Sequence, residues 1–283
     1  MILISILIAL VVQRFANMAG WLRSSWFEIY LGWLRPILAK SNKWVAIAIV
    51  ILPVFVILGI LHFFLMWRLF GLFFLFLSCA VLLLCMDARN IKNQLDKYFE
   101  FAEKKDSEGA VNVVAELTTE PLPHNLGELN RVVTKHIFIK NYTNIFSVLF
   151  WVCVLNIYGA AGYTIVVLLR RLAIKVDGSF GDIASAAGSI QDILDWVPVR
   201  FLGLTYALVG HFSQCFSFFV KHLKTGLHNN MKIVVESGLS ALGANIDENA
   251  STLEENKAAL DLIDRTLIVW IVIVALVTLG MLL

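Results

Sequence analysis

Two carboxylates, an arginine and a histidine, Asp192, Asp195, Arg200 and His211, fall within one stretch, GSIQDILDWVPVRFLGLTYALVGH, from Gly188 to His211. Asp192 and Asp195 are three residues apart and share a face if that segment is helical. A carboxylate pair beside a guanidinium can hold a ligand, exchange protons with it, or form a salt bridge. Pro198 disfavours helix at Val197 and starts a new one at its own position. Arg200 then projects from the first turn of a helix over 201–220, with Leu204, Ala207 or Leu208, and His211 along the same face. Residues 201–220 contain no Asp, Glu, Lys or Arg. Charges beside so apolar a run must snorkel, pair or line a wet cavity. The stretch therefore reads either as a ligand site or as an N-cap whose salt bridge holds a helix at a boundary.

Other candidates lie outside it. Arg170 and Arg171 end a charge-free run, TNIFSVLFWVCVLNIYGAAGYTIVVLL, from Thr143 to Leu169. They are snorkelling caps or arginines aimed at an anion. Gly159 and Gly162 interrupt that run and either let helices pack closely or permit a broken helix around a site. Arg14 opens a basic segment, residues 14–43, interleaved with Trp21, Trp26, Tyr30 and Trp33. That pattern marks a membrane interface, with an anionic head group as the sharper reading. Glu116 is the acid of interest between 87 and 142, against a solvated helix face. His62 sits in an apolar run and reads as packed and neutral. Cys79, Cys85, Cys153 and Cys215 lie inside apolar runs without metal-ligand spacing, so they read as small hydrophobes. No metal or cofactor is implied, and the absence of a GxxxxGK[ST] loop excludes a P-loop ATPase.

These residues must be positioned by helices in a bilayer. Apolar residues make up 59% of the 283 and charged residues 16%, with mean hydropathy +0.79. That is more apolar surface than one buried core absorbs. A net charge of +2 argues against nucleic acid as a partner. The expectation is an all-α polytopic membrane protein with about five membrane-embedded helices, a short apolar N-terminal helix and juxtamembrane amphipathic helices. The N-terminal run MILISILIALVVQ begins without the positive side chain that a signal peptide's leader needs and reads as a retained helix. Trp44–Trp67 and Leu69–Met86 form a tight hairpin, kinked at Pro53. Residues 87–142 are a juxtamembrane helical loop. In it Ile91, Leu95, Tyr98, Phe99 and Ala102 give an amphipathic helix with a Glu100–Lys104 pair, followed by a shorter helix after a turn at Ser107–Gly109. Ser237–Ala244 is a small-residue segment that packs tightly or admits a ligand, and Thr266–Leu283 is a terminal span.

The positive-inside rule places 14–43, 87–142 and 221–265 in the cytoplasm, leaving Arg68, Arg170, Arg171, Lys175 and Arg200 outside. The central stretch then faces outward. If the third run is re-entrant at its glycines, the stretch turns inward.

The motif LDWVPVRFLGLTYALVGH, with Gln13-Arg14, the AEL at Ala115–Leu117 and LFW at Leu149–Trp151, resembles the AmpE family of beta-lactamase induction modulators along essentially the whole chain. More distantly the chain resembles the cobalamin-biosynthesis membrane proteins CobD/CbiB. Their aspartate pair with Pro-Ala-Arg falls on Gln191-Asp192 and Pro198-Val199-Arg200, and their small-residue segment on Ser237–Ala244. Those relatives form an amide bond, using ATP, between an amino-alcohol and a corrinoid carboxylate. Here Gln191 replaces the first aspartate, Leu169–Leu172 replaces an Asn-Thr-Leu-Asp, and Gln13 replaces an N-terminal acid. Losing these carboxylates argues against the amide-forming reaction.

The resemblance implies one integral membrane domain over 1–283 in a bacterial inner membrane, regulatory in the beta-lactamase and cell-wall recycling response. It would bind an anionic metabolite, a lipid or a protein partner at Asp192, Asp195, Arg200, Arg170 and Arg171, with His211, Glu116 and Arg14 as further candidates and Pro198, Gly159 and Gly162 as structural supports. A CobD/CbiB-like enzyme and a membrane scaffold are the alternatives.

Overall fold

The structure is a computed structural model. It describes residues 2–15, 19–38, 40–68, 72–86, 88–118, 122–123, 125–175, 181–222, 226–245, 248 and 250–280, without the side chains of 2, 13–15, 19–25, 65–68, 72–73, 88–92, 172–175, 228 and 279. Among the described residues regular structure is entirely helical. Two candidate spans, Lys43–Phe64 and Leu126–Arg171, are long and apolar enough to cross a membrane by length and composition. Contacts divide the chain into two compact units, Met1–Asp87 with Ser147–Asp195, and Ala88–Phe146 with Trp196–Leu283.

The first unit contains α1 (Ile2–Phe15), α2 (Ala19–Leu38), α3 (Lys43–Arg68), α4 (Leu72–Cys85) and the later α8 (Ser147–Lys175). It also contains the first part of α9 (Gly181–Val209). The apolar hairpin expected from the sequence is α3 with α4, closed where the His62 ring stacks on Phe74 at 4.8 Å between centroids. Helix α1 packs against α4 and α8, with the Cys79 thiol 3.7 Å from the Ser5 carbonyl. Tyr30 on α2 donates to the Val50 carbonyl of α3 at 3.0 Å. One apolar cluster joins Leu38 of α2 and Ala46, Ile47 and Val50 of α3 to Ile165, Leu168 and Leu169 of α8 and Ile183, Ala184, Ala186 and Ala187 of α9. Pro53 sits inside α3 without ending it.

Helix α8 is broken, but not at its glycines. The non-helical residues are Leu155 (φ −122°, ψ 16°) and Asn156 (φ 58°, ψ −153°). A positive φ with that ψ costs a non-glycine residue about 1–3 kcal/mol, so packing must hold it. Asn156 offsets part of this cost by accepting the Ile157 N–H on its own Oδ1 at 2.8 Å. In a straight helix residues eight apart stand about 12 Å apart along the axis. Here a Cβ on Gly159 would lie 2.4 Å from the Trp151 carbonyl oxygen. The two limbs of α8 therefore fold against each other at a sharp corner, and Gly159 is what lets the backbones approach.

The second unit contains α5 (Ala88–Glu103), α6 (Ser107–Leu117), α7 (Leu126–Asn141), α10 (Phe212–His222), α11 (Asn230–Leu242) and α12 (Leu253–Gly280), with the end of α9. Helix α5 buries Leu95 and Tyr98 as its periodicity requires, and Lys104 pairs with Glu100 at 2.7 Å. The turn expected at Ser107–Gly109 falls earlier, because Asp106 caps α6 by accepting the Gly109 N–H. Helix α7 continues through a π-helical turn, Tyr142–Phe146, into α8.

Its buried face carries a polar row. Asn130 accepts from Tyr98 at 2.7 Å and from Asn256 at 3.0 Å, and Thr134 meets Asn256. Arg131 donates to Ser251 at 3.4 Å and to the Asn245 carbonyl at 3.1 Å. Buried polar groups hold their elements in place only when satisfied, and these tie α5, α7 and α12 together.

The helix boundary expected at Val197–Pro198 is absent. α9 runs unbroken from Gly181 to Val209 with Pro198 inside it. The missing proline N–H leaves the Leu194 carbonyl without its helical donor, yet Pro198, Val199 and Leu202 are buried, and that packing holds the helix together. The chain breaks instead at Gly210-His211. A Cβ on Gly210 would stand 2.4 Å from the Ala241 carbonyl, which accepts the His211 N–H at 2.8 Å.

Gly159→Ala is expected to lower stability by about 1–3 kcal/mol, because a backbone carbonyl cannot step aside. Gly162→Ala, which meets only the end of the Phe55 ring at 3.1 Å, should cost less. Thermal unfolding of the detergent-purified variants checks the order. Burial raises the Tyr98 phenol from 10.0 to about 12. A folded-state value above the unfolded one gives stability that is complete below pH 10.0 and is lost as pH rises through about 12. Tyr98→Phe should abolish that alkaline loss in pH-dependent unfolding curves.

Candidate functional site

The sequence candidates on α8 and α9 meet in the first unit. Tyr163 and Arg170 are seven apart, two helical turns, so α8 presents both along one side. On α9, Gln191, Asp192 and Asp195 are spaced one and three residues apart and face α8. Asp195 is fully buried. It accepts from the Tyr163 hydroxyl at 2.9 Å and from the Gln191 amide at 3.1 Å. Gln191 Oε1 accepts in turn from Arg170 at 3.1 Å. The amide orientation follows from its neighbours, since a guanidinium only donates and a carboxylate only accepts.

Asp192 lies 4.0 Å from the same guanidinium, with side chains 40% exposed for Arg170 and 21% for Asp192. At that distance and exposure the pair is worth at most about 1 kcal/mol. Gly188 underlies the guanidinium, whose Nε would stand 3.5 Å from a Cβ there. The result is a hydrogen-bonded chain from a half-exposed cation, through a neutral amide, to a buried carboxylate and phenol.

The other candidates are placed elsewhere. Arg200, in the second unit, is 8% exposed. Its guanidinium carbon lies 4.1 Å from the centroid of the Trp196 ring. It donates to the Trp196 carbonyl at 2.7 Å and reaches Asn230 at 3.5 Å. His211 is not on a helix face with Arg200; it lies in the exposed turn after α9, its ring against Gly243. Glu116 is exposed in the last turn of α6, and Arg171 is half-buried beside Arg170. The Arg14 side chain lies outside the described residues. The Ser237–Ala244 segment is packed tight, with Gly238 against Phe138 and Gly210 against Ala241. Among the described residues no group of three or more His, Cys, Asp and Glu side chains is placed to hold a metal ion.

The family model described as "Regulatory signalling modulator protein AmpE" matches residues 1–283. The chain belongs to the AmpE family. Protein AmpE of Shigella flexneri is 25% identical to it over 202 residues, covering 69% of this chain and 70% of that protein. Cobalamin biosynthesis protein CobD of Chromobacterium violaceum is 26% identical over 183 residues, covering 60% of this chain and 55% of that protein, so the chain spans little more than half of its length. No solved structure matches.

Within this AmpE-family chain, Tyr163 and Asn230 were not legible as site residues. The available signal for Tyr163 was a phenol in an apolar run two turns before an arginine. Gln191 was visible only as a departure from the CobD/CbiB aspartate pair, and its geometry explains the departure. An amide can donate to Asp195 and accept from Arg170 at once, and a carboxylate cannot. Gln191→Glu places a second carboxylate about 3 Å from a buried one and should destabilise the protein by about 1–3 kcal/mol. Gln191→Met, which only removes the hydrogen bonds, should cost less. Circular-dichroism melts of both variants measure the difference.

Proposed function

We propose that the chain is a multi-pass protein of the bacterial inner membrane that modulates beta-lactamase induction in the cell-wall recycling response. In this reading it binds an anion, or an anionic group on a lipid or partner protein, at Arg170, and makes or breaks no covalent bond. The membrane part is supported by the outward faces of α3 and α12. Leu52, Val56, Ile57, Ile60, Ile268 and Leu276 are more than half exposed, apart from Val56 at 49%. Aliphatic faces of that extent need an apolar solvent.

The observation that carries the site is the chain Arg170–Gln191–Asp195–Tyr163. Its outer end is a guanidinium only weakly held by Asp192, and its inner end is buried between α8 and α9. An anion that draws Arg170 away releases Gln191 Oε1, and with it the amide that positions Asp195. Binding outside is thereby felt at a helix contact inside, which is a regulator's requirement. Arg171 adds positive charge beside the site. The similarity to CobD favours amide formation as a second reading, against which stands the neutral Gln191 where that chemistry has an acid.

Native mass spectrometry of the detergent-purified protein beside Arg170→Ala tests the reading. A bound metabolite or lipid mass should be present in the first and lost in the second. Beta-lactamase induction should lose its modulation in cells making equal amounts of the variant. A folded Arg170→Ala with unchanged bound mass and unchanged induction would sink the site. A mass that grows with time on incubation with ATP would favour the enzyme.

A further inference from the structure

We infer that α8 is a re-entrant corner rather than a crossing, so that the Arg170–Gln191–Asp192 site opens to the cytoplasm and takes its carboxylate- or phosphate-bearing ligand from there. This rests on the multi-pass reading above.

Charge counting along the sequence puts Lys43 and Arg170 on opposite faces, since one apolar hairpin and one further run separate them. Packing puts them at the same end of the first unit. Ala46, Ile47 and Val50, just inside the Lys43 end of α3, share a core with Ile165, Leu168 and Leu169, just inside the Arg170 end of α8. Leu38 of α2 and Ile183, Ala184, Ala186 and Ala187 of α9 close the same cluster. At the other end of α3, His62 Nδ1 is hydrogen-bonded to the Tyr158 hydroxyl at 2.8 Å, so α3 and the second limb of α8 run antiparallel.

His62 is 19 residues from Lys43, about 28 Å along a helix, close to a whole hydrocarbon thickness. Tyr158 comes two residues after the strained Asn156, so the corner of α8 sits at the depth of His62. There the chain folds back, the Trp151 carbonyl against Gly159. Both limbs of the corner then point toward the Lys43 end. The candidate span Leu126–Arg171, at 46 residues, is more than twice what one crossing needs. A reversal inside it removes the excess.

The end so assembled carries Arg35, Lys40, Lys43, Arg170 and Arg171, and such a concentration of basic residues marks the cytoplasmic side. At the corner Val154 and Leu155 are 55% and 54% exposed, and Asn156 satisfies the Ile157 N–H with its own side chain, as irregular backbone at the edge of the hydrocarbon requires.

Lys43→Cys and Ser189→Cys, at exposed positions on α3 and α9, are made singly in the full chain and treated with a membrane-impermeant maleimide. The unsubstituted protein, whose Cys79, Cys85 and Cys215 are buried and whose Cys153 is half-buried, serves as the blank, and Ser185→Cys is a second exposed site on α9. Both α9 cysteines should label in inverted vesicles, as Cys at 43 does, and lose labelling in intact spheroplasts. Labelling of either α9 cysteine from outside the spheroplast overturns the inference. If labelling is cytoplasmic while induction ignores Arg170→Ala, the topology stands and the regulatory reading fails.

Discussion

Backbone polar groups away from water must find partners within the protein, and the corner of α8 is where that constraint presses hardest. Turning a helix at Leu155–Asn156 frees the hydrogen bonds of a full turn. Asn156 recovers one with its own side chain, and Gly159 lets the two limbs approach closely. Tyr158, close by in sequence, is pinned to His62, which fixes the corner's height along α3. From that height follows which turn of α8 lies opposite Ile47 and Val50, and so where Tyr163 and Arg170 meet α9. A residue or two of slip at the corner would rotate Arg170 off Gln191.

The site depends on the same economy applied to side chains. A buried carboxylate is costly unless donors surround it. Tyr163 and Gln191, both neutral, donate to Asp195, while the Arg170 guanidinium stays one step removed at the rim. It acts through a group that must both give and take a hydrogen bond. This makes glutamine, rather than the acid of the CobD/CbiB pattern, the chemically required residue at 191. Such a chain couples the positions of its members and relays no proton, because a carboxamide N–H is too weak an acid to give its proton up.

The apolar runs that became α3, α4 and α8, the amphipathic α5 and its Glu100–Lys104 pair could be read directly, because each depends on neighbours three or four residues away. The shared face of Asp192 and Asp195 was legible for the same reason. Pro198 misled because its local preference is outweighed by the burial of Val199 and Leu202, which only the folded chain reveals. The break in α8 was sought at Gly159–Gly162 and lies at Leu155–Asn156. The glycine allows the close approach after the turn and does not make it, and an asparagine with positive φ leaves no periodic trace. Arg200 and Asp192 are near in sequence, but Arg200 reaches Trp196 and Asn230, while Asp192 pairs with Arg170 on α8. The polar row on α7 was unreadable for a plainer reason: its partners are 114 to 126 residues away.

That separation has a temporal meaning. Asn130, Arg131 and Thr134 are made early in synthesis, and the residues that complete their bonds, Asn245, Ser251 and Asn256, leave the ribosome more than a hundred residues later. Until then α7 carries a guanidinium, an amide and a hydroxyl that the finished fold buries. The nascent chain must keep that face wet or shielded while the intervening helices are made. Burial of that face therefore waits until residues 245–256 have been made, and a chain stalled before them would display the polar face that the completed fold hides.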